Sequence, residues 1–424
     1  MKRFIVKSLA DLRFAIFLLL LIASFSIIGT IIEQDQILEY YQNNYPVEKS
    51  ILGFINWKFI IQLGFDHIYK TIWFITLLII FGCSLLSCTF LQQLPSLKIA
   101  QRCQFFRTTN QFKKLKIKNQ ISNKLVEPFL YNLVKQDYSI FHQRKIIYGY
   151  KGLIGRIAPI IVHISMILIL LGAVLGAIGG FNAQEIVPKS EIFSIQNILN
   201  RGNFAKISNV STRTNDFWIT YNRETTINQF YSNLSFLDKS GNEILNKTIS
   251  VNHPAKYKNI TYYQTDWNLI GLRLKIDNNT IQCPLISPFT NKEKVWISWL
   301  PFDNTFTKGV TVLINNLQGY VSIYNEKGEF VSNLELNDTL SINDHSFTLI
   351  DIISSTGLQI KTDPGIITIY TGFGFLMFST LISYTTYSQI WILKKANNIF
   401  IGGNTNRAKF EFEVEFKKLI NENK

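Results

Sequence analysis

RIAPIIVHISMILILLGAVLGAIGGF, residues 156–181, is apolar throughout except for Arg156 at its start and His163 in its first half. At a rise of 1.5 Å per residue, its roughly 25 residues reach about 37 Å, which crosses a hydrocarbon core of about 30 Å with some tilt. The stretch decides the fold because it divides the chain. Membrane anchors and a basic loop precede it, whereas one large polar domain and a last apolar stretch follow it.

Three other stretches are long and apolar enough to be membrane spans, namely residues 14–32, 71–91 and 364–390. No small-residue cleavage site follows the first stretch, so we interpret it as a retained anchor and not as a signal peptide. Pro95 is expected to end the second helix, and Pro364 suits the first turn of the fourth. The predicted fold class is therefore an integral membrane protein with four transmembrane α-helices in contact with membrane lipid.

The large polar region, residues 182–363, carries sixteen Lys+Arg and seventeen Asp+Glu. Segments of alternating polarity recur in it, such as 217–221 and 269–276, and turn residues separate them. This spacing predicts a large, mainly antiparallel β domain outside the cytoplasm. In the basic region before the third span, alternating pieces at 112–117 and 145–150 indicate a small folded unit.

Charge alternates along the chain and predicts its orientation. The N-terminus (+3), residues 92–156 (+11) and the tail (+3) are basic, whereas residues 33–70 (−2) and 182–363 (−1) are not. The positive-inside rule places the basic segments on the cytoplasmic or stromal side. This topology already explains the charge bias, so we expect no nucleic-acid partner. The predicted order is the N-terminus with the first helix, 1–32; a far-side loop, 33–70; the second helix, 71–91; a basic region, 92–156; the third helix, 157–181; the β domain, 182–363; the fourth helix, 364–390; and a tail, 391–424.

His163 is the candidate functional residue of the third span, because its side chain is ionisable. An ionisable group inside a span is costly to place there, so it is a functional candidate. A neutral imidazole can donate one hydrogen bond and coordinate a metal, such as haem iron, through its other nitrogen. The alternative is a structural histidine that bonds to a neighbouring helix. In the same span Gly172, Gly176 and Gly180 follow a small-xxx-small spacing, which predicts the close approach of another helix.

The four cysteines occur in no CxxC, CxxCH or zinc-binding spacing. A disulfide scaffold and a covalent c-type haem site are therefore not expected. Cys83 and Cys88 lie five residues apart in the second span and do not share a helix face. We interpret both as small buried apolar residues.

The remaining histidines and motifs give no catalytic pattern. His67 is interpreted as an interfacial polar residue before the second span, and His142, His253 and His345 show no ligand spacing to one another. The sequence contains no Walker loop, GxSxG, HExxH or glycine-rich dinucleotide turn. We therefore expect no catalytic residues and no enzyme activity from this chain by itself.

Several stretches resemble a known family. They are LADLRFAIFLLLLIA and GTIIEQ around the first span, LGFDHIY and CSLLSCTFLQQLP around the second, GRIAPIIVHISMILILLGA in the third, VNHPAKYKNITYYQTDW in the large domain, and DPGIITIYTGFGFLMFSTLISY with SQIW at the end. In these stretches and in its topology the chain resembles the ResB/CcsB family, the system II cytochrome c biogenesis proteins of plastids, cyanobacteria and several bacterial groups. The resemblance covers nearly the whole chain.

The resemblance implies a function, a cofactor and partners. Family members act with CcsA, a membrane protein with a haem-handling WWD motif, and the pair is thought to move haem across the membrane and present it to apocytochrome c. The family's histidine in the third span matches His163, which is thus implied to bind haem iron. The implied cofactor is b-type haem in transit, shared with the partner. The implied location is the thylakoid membrane of a plastid (chloroplast) or cyanobacterium, with the large domain in the lumen.

An alternative function belongs to another class, a membrane-anchored scaffold or sensor with a lumenal β domain and no haem of its own. The same topology would serve it, but it leaves His163 unexplained. No kinase, phosphatase or cyclase signature occurs on the basic side. Haem absorbance in the purified complex distinguishes the two functions.

Overall fold

The computed structural model describes residues 2–49, 55–121, 126–207, 210–222, 226–287, 295–301, 308–315, 319–342, 345–395 and 398–421. The chain divides into two compact units. The membrane unit comprises Met1–Ala177 and Pro364–Lys424, and the β unit comprises Ile178–Asp363.

The membrane unit contains the predicted spans. Among the described residues, four helices are long and apolar enough to cross a membrane, and in chain order these first to fourth spans are Leu12–Ile31, Ile72–Gln101, Ile154–Gly179 and Ile366–Ser383. The unit also contains helices at Lys2–Leu9, Leu38–Asn44, Trp57–Leu63, Thr109–Lys113, Val126–Lys135 and Lys409–Asn421, with 3-10 turns at Val47–Lys49 and Ile68–Lys70. Four transmembrane helices with a large antiparallel β domain are thus confirmed.

The second span continues past Pro95, which corrects the predicted end of its helix. The α-helix Ile72–Cys88 leads into a π-helical turn, Thr89–Gln93, and then into the α-helix Leu94–Gln101. Pro95 lies in the first turn of that last helix, where a missing N–H removes no necessary bond. Because the π turn widens the backbone just before the proline ring, the helix continues without the break that proline usually causes.

The fourth span ends at Ser383, before the predicted end at residue 390. The chain instead enters a strand, Ser388–Lys395, whose residues Ile390 and Ile392 belong to a buried core. A short apolar run in a buried strand looks like the end of an apolar helix in the sequence, so hydropathy alone does not separate them.

The two basic segments fold together into one α/β domain, which we call the basic domain. Its antiparallel sheet has the strand order Ile117–Ile121, Asn398–Thr405, Ser388–Lys395, Ile146–Lys151 and Ser139–Gln143, and helices Val126–Lys135 and Lys409–Asn421 cover its core. The predicted strand at 145–150 is confirmed. The one predicted at 112–117 is wrong, because a capping box of Thr108 and Gln111 starts a helical turn that includes Phe112.

The shared sheet supports the predicted topology independently of charge. Open sheet edges do not occur in lipid, so both segments of the basic domain lie on one side of the membrane. The third and fourth spans separate these segments in the chain, and two crossings return the chain to the same side. The N-terminal segment lies at this end too, because Gln92 Nε2 donates to the Ala10 carbonyl at 2.6 Å.

Glycine lets the third and fourth spans pack closely. A Cβ at Gly172 would lie 2.9 Å from the Gly365 carbonyl oxygen, and a Cβ at Gly372 would lie 3.0 Å from the Ser165 carbonyl oxygen. A Cβ at Gly365 would in turn lie 2.9 Å from the Gly176 nitrogen. The helix that approaches Gly172 and Gly176 is therefore the fourth span of the same chain.

The loop between the first and second spans folds around its own core of Ile32, Tyr41 and Ile60. The Tyr41 hydroxyl donates to the Glu33 carbonyl at 2.6 Å, and burial raises the pKa of this hydroxyl to about 12. The Gln34 side chain donates to the Phe65 carbonyl at 3.0 Å. These bonds give the far-side loop a defined structure between the two spans.

The β unit is built on two long antiparallel strands, Ile260–Ile276 and His345–Thr362. Their sheet also contains Phe181–Pro188, Ile198–Arg201, Ala255–Tyr257, Asn279–Pro284 and Thr339–Ile342. A second sheet contains Ile192–Phe193, Ser211–Tyr221, Ile227–Leu237 and Glu243–Ser250, and a third contains Trp296–Pro301, Gly309–Ile314, Tyr320–Tyr324 and Phe330–Glu335.

The two long strands supply residues to two separate hydrophobic cores. Tyr262 and Leu358 pack with Phe236 of the second sheet, whereas Leu272 and Leu349 belong to the core that also includes the third sheet. Between the two long strands, the buried Thr356 Oγ1 donates to the buried Gln264 Oε1 at 2.7 Å.

Candidate functional site

His163 lies in the third span and contacts the second span. Its Nδ1 is 2.8 Å from the hydroxyl oxygen of Thr89, the first residue of the π turn. Thr89 is buried, whereas His163 is half-buried. Within hydrocarbon neither group has water as an alternative partner, so the pair ties the two spans together at this level.

The Thr89 hydroxyl indicates which nitrogen of His163 carries the proton. Its single hydrogen is donated to the Leu85 carbonyl, 2.8 Å away on the preceding helical turn. The hydroxyl oxygen can then only accept from the imidazole, and the Leu85 carbonyl, which is also an acceptor, interacts with the same ring. We therefore assign the proton to Nδ1, which leaves the lone pair on Nε2.

This arrangement is the one that histidine adopts as a metal ligand. A ligating imidazole almost always donates its second ring N–H to a nearby oxygen, which fixes the ring and raises its basicity. The structural and ligand interpretations of His163 are therefore compatible, because they use different nitrogens. Nδ1 bonds to the neighbouring helix, and Nε2 is suited to coordinate an iron atom.

Thr89 is the site residue that sequence reasoning missed. The quoted stretch CSLLSCTFLQQLP contains it, but a lone threonine in a span usually bonds to its own helix. Its position along the span could have identified it, because Thr89 lies near the basic end of the second span and His163 lies near the basic end of the third. The π turn that accompanies it is a feature often found at functional sites.

A second polar contact joins the same two spans closer to the basic side. Arg156 Nη1 donates to Ser96 Oγ at 3.3 Å, and the guanidinium lies 5.1 Å from the centre of the Tyr387 ring. Arg156 Nε is buried and has no acceptor among the described residues. Burial and its neighbours raise the pKa of the Tyr387 hydroxyl well above its usual range, so this ring stays neutral.

The glycine face of the third span is not the face of His163. Nine residues separate His163 from Gly172, which is two and a half helical turns and places them on opposite sides. The fourth span covers Gly172, and Met166 and Leu170 pack towards the first and second spans. A helix from another protein would therefore reach His163 from another direction than the glycine face.

The other histidines are separate from this site. His67 Nδ1 pairs with Asp66 Oδ2 at 2.8 Å on the far side, and His142 is exposed in the basic domain. In the β unit, His345 Nδ1 lies 2.8 Å from Asp277 Oδ2, and this bond lowers the pKa of the Asp277 carboxyl. Throughout the described ranges, no group of three or more His, Cys, Asp or Glu side chains could hold a metal ion.

The cysteines are free thiols in the structure. Cys83 is exposed on the surface of the second span, so the prediction that it is buried is wrong, and Cys88 is only half-buried. A membrane-facing position is as apolar as a protein core, and hydropathy does not distinguish them. Cys103 is exposed, and Cys283 is buried in the β unit, where burial raises the pKa of its thiol.

Comparison with known proteins relates the whole chain to one family. The sequence model of the ResB-like family matches residues 12–289 and 314–417. The chain is 61% identical over 421 residues to the cytochrome c biogenesis protein Ccs1 of Thalassiosira pseudonana, over 99% of this chain and 100% of that protein. It is 44% identical over 419 residues to the cytochrome c biogenesis protein CcsB of Picosynechococcus sp., over 98% of this chain and 91% of that protein. This chain belongs to the ResB-like family.

Proposed function

We propose that this chain is a subunit for c-type cytochrome biogenesis. It acts with a CcsA-type membrane protein to carry haem across the membrane and attach it to apocytochrome c. The observation that carries the proposal is the pairing of His163 Nδ1 with Thr89, which leaves Nε2 as a metal ligand inside a span. The similarity to relatives named for cytochrome c biogenesis supports the same function.

In this function haem is cargo, and His163 supplies one axial ligand to its iron while it crosses. The second ligand comes from a helix of the partner. His163 is seven residues past Arg156, about 10 Å from the basic end of the helix. Haem therefore enters from the side of the basic domain and is released towards the side of the β unit.

The membrane in question is the thylakoid membrane of a plastid or cyanobacterium. The basic domain lies on the stromal or cytoplasmic side, as the positive-inside rule requires, and the β unit lies in the lumen. There the β unit meets apocytochrome c or braces the partner's haem site. The chain itself contributes a ligand and a scaffold, and the attachment reaction belongs to the complex.

The test is an absorption spectrum of the complex purified with its CcsA-type partner. His163→Ala should lose or alter the six-coordinate haem spectrum, and free imidazole should restore part of it. His142→Ala is the matched control, because it removes an exposed imidazole on the basic side. Identical spectra in the wild type and His163→Ala would contradict the proposal and favour a scaffold without haem of its own.

A further inference from the structure

Arg156, at the basic end of the third span, is a cation without a counter-ion among the residues that the structure describes. Its side chain is half-buried, its hydrogen bond to Ser96 is long at 3.3 Å, and its Nε is buried without an acceptor in the described part of the chain. No carboxylate of the described residues forms an ion pair with it. A buried guanidinium is normally paired with an anion, and its planar fork matches a carboxylate through two parallel bonds.

Arg156 also lies on the same contact line between the second and third spans as His163, and we call this line the seam. Seven residues separate the two, so they share one face of the helix about 10.5 Å apart. Their partners in the second span, Ser96 and Thr89, are likewise seven residues apart. The seam between the antiparallel second and third spans thus has two polar contacts. Each leaves one nitrogen without a hydrogen-bond partner among the described residues: Nε2 of His163 and Nε of Arg156.

We propose that Arg156 binds a propionate carboxylate of the haem whose iron is coordinated by His163. The inference rests on the proposed function and names the residue that orients the cargo. Haem carries both propionates on one edge of the ring, and the two-turn separation is comparable to the reach from iron to these carboxylates. Carboxylates are costly in hydrocarbon, so this edge points to the basic end, where Arg156 forms charge-assisted hydrogen bonds with it.

A tyrosine next to the basic domain holds the Arg156 guanidinium in position. Tyr387, over whose ring the guanidinium lies, donates its own hydroxyl to the Ala100 carbonyl at 2.9 Å and lies 3.2 Å from the Tyr148 hydroxyl. The ring is buried and fixed, so it holds Arg156 in place without neutralising its charge. An arginine held in this way loses little side-chain freedom when a carboxylate binds.

The experiment compares haem with its dimethyl ester, which keeps the iron and the ring but has no carboxylates. Each is titrated into the haem-depleted complex, full-length and with its partner, and the ratio of the two apparent affinities is measured. The wild type should prefer haem over the ester by roughly ten- to a hundred-fold, the value of one charged hydrogen-bonded pair. Arg156→Gln should bring this ratio close to one, and Arg156→Lys should keep part of the preference.

Two controls separate this inference from the proposed function. Lys98→Gln removes an exposed cation from the same end of the second span and should leave the ratio unchanged. His163→Ala should weaken haem and ester alike. If His163→Ala behaves so but Arg156→Gln keeps the full preference for haem, the Arg156 proposal is overturned while the proposed function stands.

A lipid phosphate is the other anion that could meet Arg156. Mass spectrometry of the purified complexes measures the acidic phospholipid that each one retains. If Arg156→Gln releases bound phospholipid but preserves the preference for haem over the ester, the guanidinium binds a headgroup and the proposal fails. If the preference is lost at equal phospholipid content, the propionate contact is supported.

Discussion

Replacing Thr89 with valine tests the tautomer assignment on which the ligand role of His163 depends. Valine has the shape of threonine but no hydroxyl, so Thr89→Val removes the acceptor at 2.8 Å from His163 Nδ1, together with the bond that the hydroxyl donates to the Leu85 carbonyl. Hydrogen bonds between membrane helices contribute about 0.6 kcal/mol on average, so the fold should tolerate the change. The effect on a bound metal should be larger.

Partners that hold a ligating histidine change metal affinity by about 10- to 100-fold when they are removed, which is about 1.4–2.8 kcal/mol. The Leu85 carbonyl loses the Thr89 donor in this variant and can accept from Nδ1 instead. We therefore expect a loss of haem affinity near the lower end, about ten-fold. The reduction potential of the haem should also rise, because a less basic imidazole stabilises ferric iron less.

The assay is titration of the haem-depleted complex with its partner, followed by absorbance, with a redox titration of the loaded complex. Thr89→Ser keeps the hydroxyl and should stay close to wild type. Thr76→Val is the matched control, because the Thr76 hydroxyl makes the same type of bond, to the Ile72 carbonyl at 2.7 Å in the same span, but is exposed and has no histidine beside it. Equal haem affinity and potential in Thr89→Val and wild type would refute the assignment.

Three further outcomes follow from the packing, the topology and the buried tyrosines. Gly372→Ala should destabilise the detergent-purified protein by about 1–3 kcal/mol in thermal unfolding, because the new Cβ would lie 3.0 Å from a backbone oxygen of the third span. The control variant Gly374→Ala should not be destabilised, because nothing lies within 4 Å of its new Cβ. Equal melting temperatures for the two variants would contradict the contact between the helices. A membrane-impermeant maleimide added to the lumenal side should label Ser240→Cys, whose position is exposed in the β unit. The native, exposed Cys103 should react only after the membrane is permeabilised. The reverse labelling pattern would contradict the predicted orientation. Burial raises the pKa of Tyr262 from 10.0 to about 12, so the folded state holds this proton more tightly and loses stability as pH rises from 10 to 12. In alkaline denaturation, the free energy of unfolding of Tyr262→Phe should therefore fall less over this pH range, by up to about 2.7 kcal/mol. An unchanged pH dependence would refute the burial effect.

The sequence predicted those features that are encoded locally. Apolar length is a property of contiguous stretches, and it correctly predicted the four spans. Charge alternation along the same stretches predicts their orientation. The glycine spacing correctly predicted a close helix, although not that the helix is the fourth span. His163 was identifiable because an imidazole in a span stands out from about twenty apolar neighbours.

The features that the sequence did not predict depend on contacts between distant parts of the chain. Strand Ser388–Lys395 pairs with Ile146–Lys151 across more than two hundred residues, two spans and the whole β unit, and no local pattern encodes that pairing. Thr89 meets His163 only in one register of the second and third spans. Thr89 is also the first residue of the π turn ahead of Pro95, which hydropathy patterns do not reveal.

The seam between the second and third spans combines these two kinds of information. A seam that served only to join helices should satisfy all its polar groups within the protein, because each unsatisfied group in hydrocarbon costs free energy. Within the described residues, the contact at His163 leaves Nε2 unused, and the contact at Arg156 leaves a buried donor without an acceptor. A ligand with a metal at its centre and carboxylates at its edge would satisfy both groups at once, at a spacing that the helix itself fixes. Haem has this chemistry, and it is the ligand that we propose for the seam.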